Sequence, residues 1–355
     1  MTAQPRAGLS RKQTEMKSLR EYLRFYYGKY LKEAGDLSQK ACCTDDTAQR
    51  HSHILELIPD AVVSKHYGCG CPIPDDDLSG ATVLDLGSGA GVDAFIAAHK
   101  VGAEGFVHGI DMTDEQLAVA RDNAGEVAQR FGFERVNTEF HKDFIETADS
   151  IADAAVDLVI SDCVLNLSPR KDLVFETIHR VLKEGGEFYI SDIAADRRVP
   201  EAIRTDPEMV AECLGEALYE HDWFDQMKAA GFHDPRVVSR RVMQTEAKGE
   251  PIVFSSLTVR AFKFTEPLDA RCEDYGQFAV YQGNCPGQEA RFAFDDHHVF
   301  EAQRPSAVCR NTARMISETR LGKYFKVTEA VKHFGLFPCG PAPTDPPDSS
   351  GAPCC

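Results

Sequence analysis

Twelve cysteines stand in this chain of 355 residues, and six of them, Cys42, Cys43, Cys69, Cys71, Cys163 and Cys213, fall in its first two-thirds. Their placement matters more than their number. Cys163 follows the apolar run Val156–Ser161, where a buried strand would end. Cys213 lies fifty residues later (213 − 163 = 50), on a segment, Pro207–Tyr219, that reads as a helix able to cover the same crevice. Cys69 sits in Tyr67-Gly68-Cys69-Gly70-Cys71-Pro72, a run whose glycines and proline enforce a turn. Three thiols are therefore expected to converge. Cysteine is also a small hydrophobe that favours burial, but three at strand-end, lid and turn positions fit a binding role better. Thiolates select soft metals and metalloids. Structural zinc is disfavoured, because the close pairs are adjacent (Cys42-Cys43, Cys354-Cys355) or one apart (Cys69, Cys71), not spaced as zinc knuckles require.

A second run carries chemistry of another kind. In Val83-Leu84-Asp85-Leu86-Gly87-Ser88-Gly89-Ala90-Gly91 an apolar strand enters three alternating glycines ahead of a helix. Glycine permits a tight turn and close backbone approach to a ligand, and the helix start offers unpaired N–H groups. Twenty residues on (111 − 91 = 20), Gly109-Ile110-Asp111-Met112 ends a second strand with a carboxylate suited to ribose hydroxyls. The G-x-G-x-G spacing, with Val92 where a dinucleotide fingerprint needs glycine or alanine, and the acid Asp85 before the loop favour S-adenosylmethionine, whose ammonium a carboxylate would hold.

The elements that must position these groups alternate. Thr82–Leu86, Gly105–Ile110, Val136–Phe140, Val156–Ser161 and Glu187–Asp192 read as strands, with helices such as Asp114–Gln129 and Arg170–Lys183 between them. That alternation predicts an α/β, Rossmann-like, parallel-rich doubly wound sheet, with ligands at the carboxyl ends of its strands. Four regions are expected: 1–80, a helical segment with cysteine loops, including a helix over Thr14–Ala34; 81–244, the cofactor-binding domain; 245–337, a smaller α+β domain with strands at Ile252–Phe264, Phe278–Gln282 and Ala290–Glu301; and 338–355, a proline-rich disordered tail. The tail thiols Cys354 and Cys355 are expected to be dispensable.

Thirty-nine basic against fifty-six acidic side chains give a net charge of −17, which repels nucleic acid phosphates and anionic membranes. No long apolar run predicts a membrane span, and Met1–Gln13 lacks the apolar core of a signal peptide. A cytoplasmic monomer is expected, where reducing conditions keep most thiols unpaired.

Residues 80–240 resemble the class I S-adenosylmethionine methyltransferases, through the glycine loop, Asp157-Leu158-Val159-Ile160-Ser161-Asp162, and Val181-Leu182-Lys183-Glu184-Gly185-Gly186-Glu187. That resemblance implies that Asp143, Phe144 and Ile145 lie along the adenine. Over residues 15–340 the chain resembles the arsenite methyltransferases. The match is carried by Tyr67-Gly68-Cys69-Gly70, Ser161-Asp162-Cys163-Val164-Leu165-Asn166-Leu167, Glu212-Cys213-Leu214-Gly215-Glu216-Ala217-Leu218-Tyr219, and downstream by Tyr281-Gln282-Gly283 and Phe292-Ala293-Phe294-Asp295. The resemblance implies that trivalent arsenic, as arsenite or methylarsenite, is held by Cys163 and Cys213 joined by Cys69. It also implies that an upstream cysteine, Cys42 or Cys43, takes part in redox exchange reset by an external thiol reductant of thioredoxin or glutathione type. No metal cofactor is expected. The chain departs from the family in its doubled upstream cysteine, in the extra thiol Cys71, and in Val92 and Asp162 where arginine and asparagine are frequent. Two other readings remain: methyl transfer to carbon or oxygen of a small organic molecule, and a non-catalytic metalloid-binding protein.

Overall fold

A computed structural model of the chain describes residues 19–33, 36–37 and 46–339. Cys42, Cys43, Cys354 and Cys355 lie outside the described residues. The chain divides into two compact units, with the boundary between Pro267 and Leu268.

The first unit is built on one twisted sheet. Strands β1 (Thr82–Leu86), β2 (Phe106–Asp111), β3 (Thr138–Lys142), β4 (Val156–Asp162), β5 (Leu182–Ala195), β7 (Arg236–Gln244) and β8 (Phe254–Phe262) lie in the order β3-β2-β1-β4-β5-β8-β7, and the short β6 (Leu218–Tyr219) pairs with the end of β5. The first five strands are parallel, and β8 and β7 run antiparallel along one side. Alternate side chains of each strand face opposite layers. Val83, Val107 and Ile160 pack with Phe95, Ile96 and Leu117 on one face, and Leu84, Ile110 and Val159 with Phe175, Ile178 and Trp223 on the other. Both faces are thus covered, as a parallel sheet requires. Register brings the functional runs together: Leu86 stands opposite Ile110, and Asp85 opposite Ile160. The glycine loop, Asp111 and the Asp162-Cys163 step therefore leave the sheet along one edge.

Two local expectations are corrected. The helix expected over Pro207–Tyr219 ends at Ala211, and Cys213 follows in a left-handed turn with φ of +64°. The helix expected over Thr14–Ala34 is α-helical from Leu19 to Phe25, passes into a π-type turn over Tyr26–Tyr30 and gives way to extended backbone at Leu31, while residues 14–18 lie outside the described residues. A third correction concerns the expected domain start at residue 245. Phe254–Phe262 is a fully buried strand paired with β5 over nine positions, from Glu187↔Phe262 to Ala195↔Phe254, so this stretch completes the central sheet. Its run is apolar enough to sit between two layers, and sequence alone does not say which sheet receives it.

The second unit holds a three-stranded antiparallel sheet, β13-β10-β14 (Pro305–Val308, Gln277–Tyr281, Phe325–Val327), the hairpin β11–β12 (Arg291–Ala293, Val299–Glu301), the pair β9–β15 (Glu273–Asp274, Gly335–Leu336) and the helix Arg310–Ser317. Among the described residues no helix is long and apolar enough to cross a membrane.

Candidate active site

The end of β1 turns sharply. The Gly87 and Ser88 amides both donate to the Ile110 carbonyl, at 2.8 and 3.0 Å. Asp111 then fixes the loop from the other side: its Oδ2 accepts from the Gly89 amide at 3.0 Å and its Oδ1 from the Thr113 amide at 2.7 Å. Gly91, in a left-handed conformation (φ +95°), caps the helix Val92–Val101, and a side chain there would press within 3.0 Å of the Phe140 ring. A cavity opens over this edge. Asp85, Gly87, Ser88, Gly89, Asp111 and Met112 line it, and so do Asp143, Phe144 and Ile145 on the far wall. Gly91 shapes the turn behind that surface and is not among the lining residues.

On the far wall, Asp143 is engaged by its own turn, accepting from the Ser150 amide and hydroxyl at 2.8 and 2.7 Å. The Phe144 ring is held by the Arg20 guanidinium 4.5 Å from its centroid, and Arg20 pairs with Glu146 at 3.1 Å. The N-terminal segment thus closes one side of the cavity, where Tyr27 also lines it.

The electrostatics favour a cationic ligand. Asp85, Asp93, Asp111 and Asp162 converge on the cavity. Burial raises the Asp85 and Asp111 carboxyls above their usual range and pushes Asp162 up to about 6. His66 stands 3.3 Å from Asp93 and 3.7 Å from Asp162. Burial pulls it toward the neutral form, but the two carboxylates outweigh this and raise it to about 10. One imidazolium does not balance the acids. Buried oxygens of Asp85, Ser88, Asp93, Gln116 and Asp162 have no hydrogen-bond partner, a costly state unless a ligand supplies donors and positive charge. A sulfonium with an ammonium and ribose hydroxyls supplies both.

Two expected results follow from this cavity. Asp111→Ala should weaken S-adenosylmethionine binding by ~1.5–3 kcal/mol, the usual cost of removing a charged acceptor, and titration calorimetry giving unchanged affinity would refute the assignment. Affinity should also fall as pH drops through about 6, because Asp162 then gains its proton and a cationic ligand loses its counter-charge. Above that value the carboxylate is ionised and affinity should level off. Equal affinity at about pH 5 and about pH 8 would contradict this reading.

The cysteines meet beside the cavity. The turn carrying Cys69 is pinned to β4 by Asp162, whose Oδ1 accepts from the Cys69 and Gly70 amides at 3.0 and 3.2 Å. Gly68 is required there, since any side chain would collide with the Asp162 carboxylate. The Cys69 and Cys163 sulfurs and an Asp192 carboxylate oxygen all lie within 4.8 Å of one another. Cys213 stands one step outside that group, its thiol donating to the Cys163 carbonyl at 3.0 Å. All three cysteines are buried, and Cys163 also lines the cofactor cavity.

Among the described residues six non-glycine positions have positive φ, and two of them are Cys163 (+56°) and Cys213 (+64°). A left-handed side-chain-bearing residue costs about 1–3 kcal/mol and persists where the surroundings enforce it, often at functional sites. Here Tyr26 donates to Glu212 at 2.8 Å and Tyr27 to the Ala211 carbonyl at 2.7 Å, clamping the loop that carries Cys213. Cys71 faces the opposite way, into the apolar layer around Val83 and Phe95, where burial pushes its thiol up to about 11.

Sequence reading missed Asp93, His66 and Asp192. Asp192 has a carboxyl raised to about 7 by burial, and it accepts from the Asn166 side-chain amide at 2.7 Å. The strand-end rule that selected Asp111 and Cys163 applies equally to the fifth strand and would have found it. Asp93 is two residues past Gly91, and its role depends on His66, which no local pattern ties to it.

The cavity lies at the carboxyl ends of a sheet ordered 3-2-1-4-5, and a methyltransferase domain profile matches residues 77–235; the chain is a class I methyltransferase that uses S-adenosylmethionine. The substrate end is more particular. The arsenite methyltransferase C-terminal domain profile matches residues 276–345. An arsenite methyltransferase of Aquipseudomonas alcaligenes is 41% identical over 91% of this chain and 95% of its own length, and that of Homo sapiens is 33% identical over 85% and 82%. The crystal structure of an arsenic(III) S-adenosylmethionine methyltransferase from Chlamydomonas reinhardtii superposes with a TM-score of 0.77 at 40% identity, covering 81% of this chain and 98% of that one. The chain belongs to the arsenite methyltransferase family.

Proposed function

We propose that this protein transfers the methyl group of S-adenosylmethionine to trivalent arsenic, supplied as arsenite or methylarsenite and held by the thiolates of Cys163 and Cys213 together with Cys69. The observation that carries the reading is the pair of left-handed cysteines, one of which lines the cofactor cavity while its carbonyl accepts from the other's thiol.

S-adenosylmethionine supplies an electrophilic methyl on a sulfonium. The protein's task is alignment, since arsenic's lone pair is the nucleophile and no general base is needed; positioning of this kind lowers barriers by up to ~7–11 kcal/mol. Asp85, Asp93 and Asp162 hold the donor's positive charge, and Asp111 accepts from its ribose. Loading arsenic as As(OH)3 or its methylated form exchanges As–O bonds for As–S bonds, and each thiol proton leaves with a hydroxide as water. Methyl transfer formally oxidises arsenic to the pentavalent state. Cys69 with Cys42 or Cys43 would return two electrons by becoming a disulfide, which a thioredoxin-type dithiol or two molecules of a glutathione-type thiol then reduce. That requirement favours a reducing, cytoplasmic setting and a role in arsenic detoxification. The test is chemical: with S-adenosylmethionine and a dithiol present, arsenite should yield methylated arsenicals, and donor consumption without methylated arsenic would refute the proposal.

A further inference from the structure

The reaction leaves three cysteines of the second unit unexplained, and they meet at one point. The sulfurs of Cys272, Cys309 and Cys339 all lie within 4.8 Å of one another. Three separate pieces of chain bring them there. Cys272 precedes β9, which pairs antiparallel with β15. Beyond that pair the Phe337 amide donates to the Cys272 carbonyl at 2.7 Å, and the Cys339 amide to the Phe337 carbonyl at 2.8 Å, which draws Cys339 back over Cys272. Cys309 caps the eight-residue helix Arg310–Ser317, its sulfur accepting from the Thr312 amide at 3.4 Å and lying 3.3 Å from the Thr312 hydroxyl. A helix start favours thiolate over thiol. All three are thiols; Cys309 is buried, while Cys272 and Cys339 are partly exposed and give a ligand a way in.

We propose that Cys272, Cys309 and Cys339 form a second site for a trivalent, three-coordinate metalloid, separate from the cysteines beside the cofactor cavity. The chemistry of the donor set selects the ligand class. Soft thiolates choose thiophilic ions, and a structural zinc site needs four donors, whereas this cluster offers three sulfurs and no fourth histidine, cysteine or carboxylate among the described residues. Three sulfurs at the corners of a triangle complete the shell of trivalent arsenic, which keeps a lone pair at the apex. Loading is a ligand exchange without redox change. Three As–O bonds of As(OH)3 and three S–H bonds break, three As–S bonds form, and each thiol proton leaves with a hydroxide as water. Bound arsenic would tie the start of the unit, its helix and the 335–339 segment to one centre. The assignment does not rest on the catalytic reading, because it uses none of the catalytic cysteines.

The experiment uses the full chain carrying Cys42→Ser, Cys43→Ser, Cys69→Ser, Cys163→Ser, Cys213→Ser, Cys354→Ser and Cys355→Ser. After reduction, incubation with sodium arsenite and gel filtration, arsenic is counted by mass spectrometry and its neighbours by X-ray absorption. One equivalent of arsenic with three sulfur neighbours is expected, and a further Cys309→Ser change should remove it. Serine is itself a preferred helix cap, so that change spares the helix start. In the otherwise unaltered protein, Cys309→Ser should lower bound arsenic by one equivalent and leave methyl transfer intact, which separates this site from the catalytic one. Arsenic retained after Cys309→Ser, no arsenic retained before it, or a co-purifying zinc that arsenite does not displace would each overturn the proposal.

Discussion

Cys213→Ser is expected to abolish methylation of both arsenite and methylarsenite, and Cys163→Ser to do the same. The hydroxyl that replaces the Cys213 thiol can still donate to the Cys163 carbonyl, where the thiol now stands 3.0 Å away. The left-handed turn, clamped by Tyr26 and Tyr27 through Glu212 and the Ala211 carbonyl, is therefore expected to persist. What serine cannot supply is a soft, readily ionised sulfur. Loss of turnover without loss of S-adenosylmethionine affinity would thus report arsenic binding alone. Arsenic speciation by chromatography and mass spectrometry makes the check, and a Cys213→Ser protein that methylates methylarsenite at the normal rate would show the arsenic site to be wrong.

A different pattern is expected upstream. Cys69→Ser, or Cys42→Ser with Cys43→Ser, should stop methylation of arsenite while methylarsenite still reacts. Methylarsenite already carries one carbon and needs only two protein thiols, which Cys163 and Cys213 provide. Arsenite needs three ligands, and its product must be returned to the trivalent state. Cys71 is the obvious competitor for the relay, being two residues from Cys69, but its sulfur packs in the apolar layer and burial raises its thiol to about 11. Cys71→Ser should accordingly cost stability and spare turnover. If the Cys42/Cys43 double variant behaves as the unaltered protein on both substrates, the disulfide relay is wrong.

The sheet and the cofactor loop were legible because their signals are local. A strand entering Gly87-Ser88-Gly89-Ala90-Gly91 has few alternatives, and Asp111 is fixed to it by the length of one crossover. Strand β8, which lies between β5 and β7 in the central sheet, reads from sequence as part of the next domain because an apolar strand does not announce its partner. The Pro207–Tyr219 helix was overextended because its apolar spacing continues past Ala211, while the structure breaks it to turn Cys213 inward. Asp93 and His66 were missed for a third reason: their roles arise from burial and from neighbours distant in sequence. The same holds for Cys339, which stands at the start of the stretch read as a dispensable tail. A truncation after Phe337 would remove it along with Cys354 and Cys355, so removal of the tail thiols alone is better made after Cys339.

The central claim is that arsenic receives the methyl group at these cysteines, and speciation of arsenic from the unaltered protein tests it most directly. Purified protein, arsenite, S-adenosylmethionine labelled in its methyl group and a dithiol reductant are incubated together, and the arsenicals are separated and counted. Labelled methylarsenicals are expected, and their formation should require all four components. Label transferred to any other acceptor, or none transferred to arsenic while the protein binds S-adenosylmethionine normally, would contradict it.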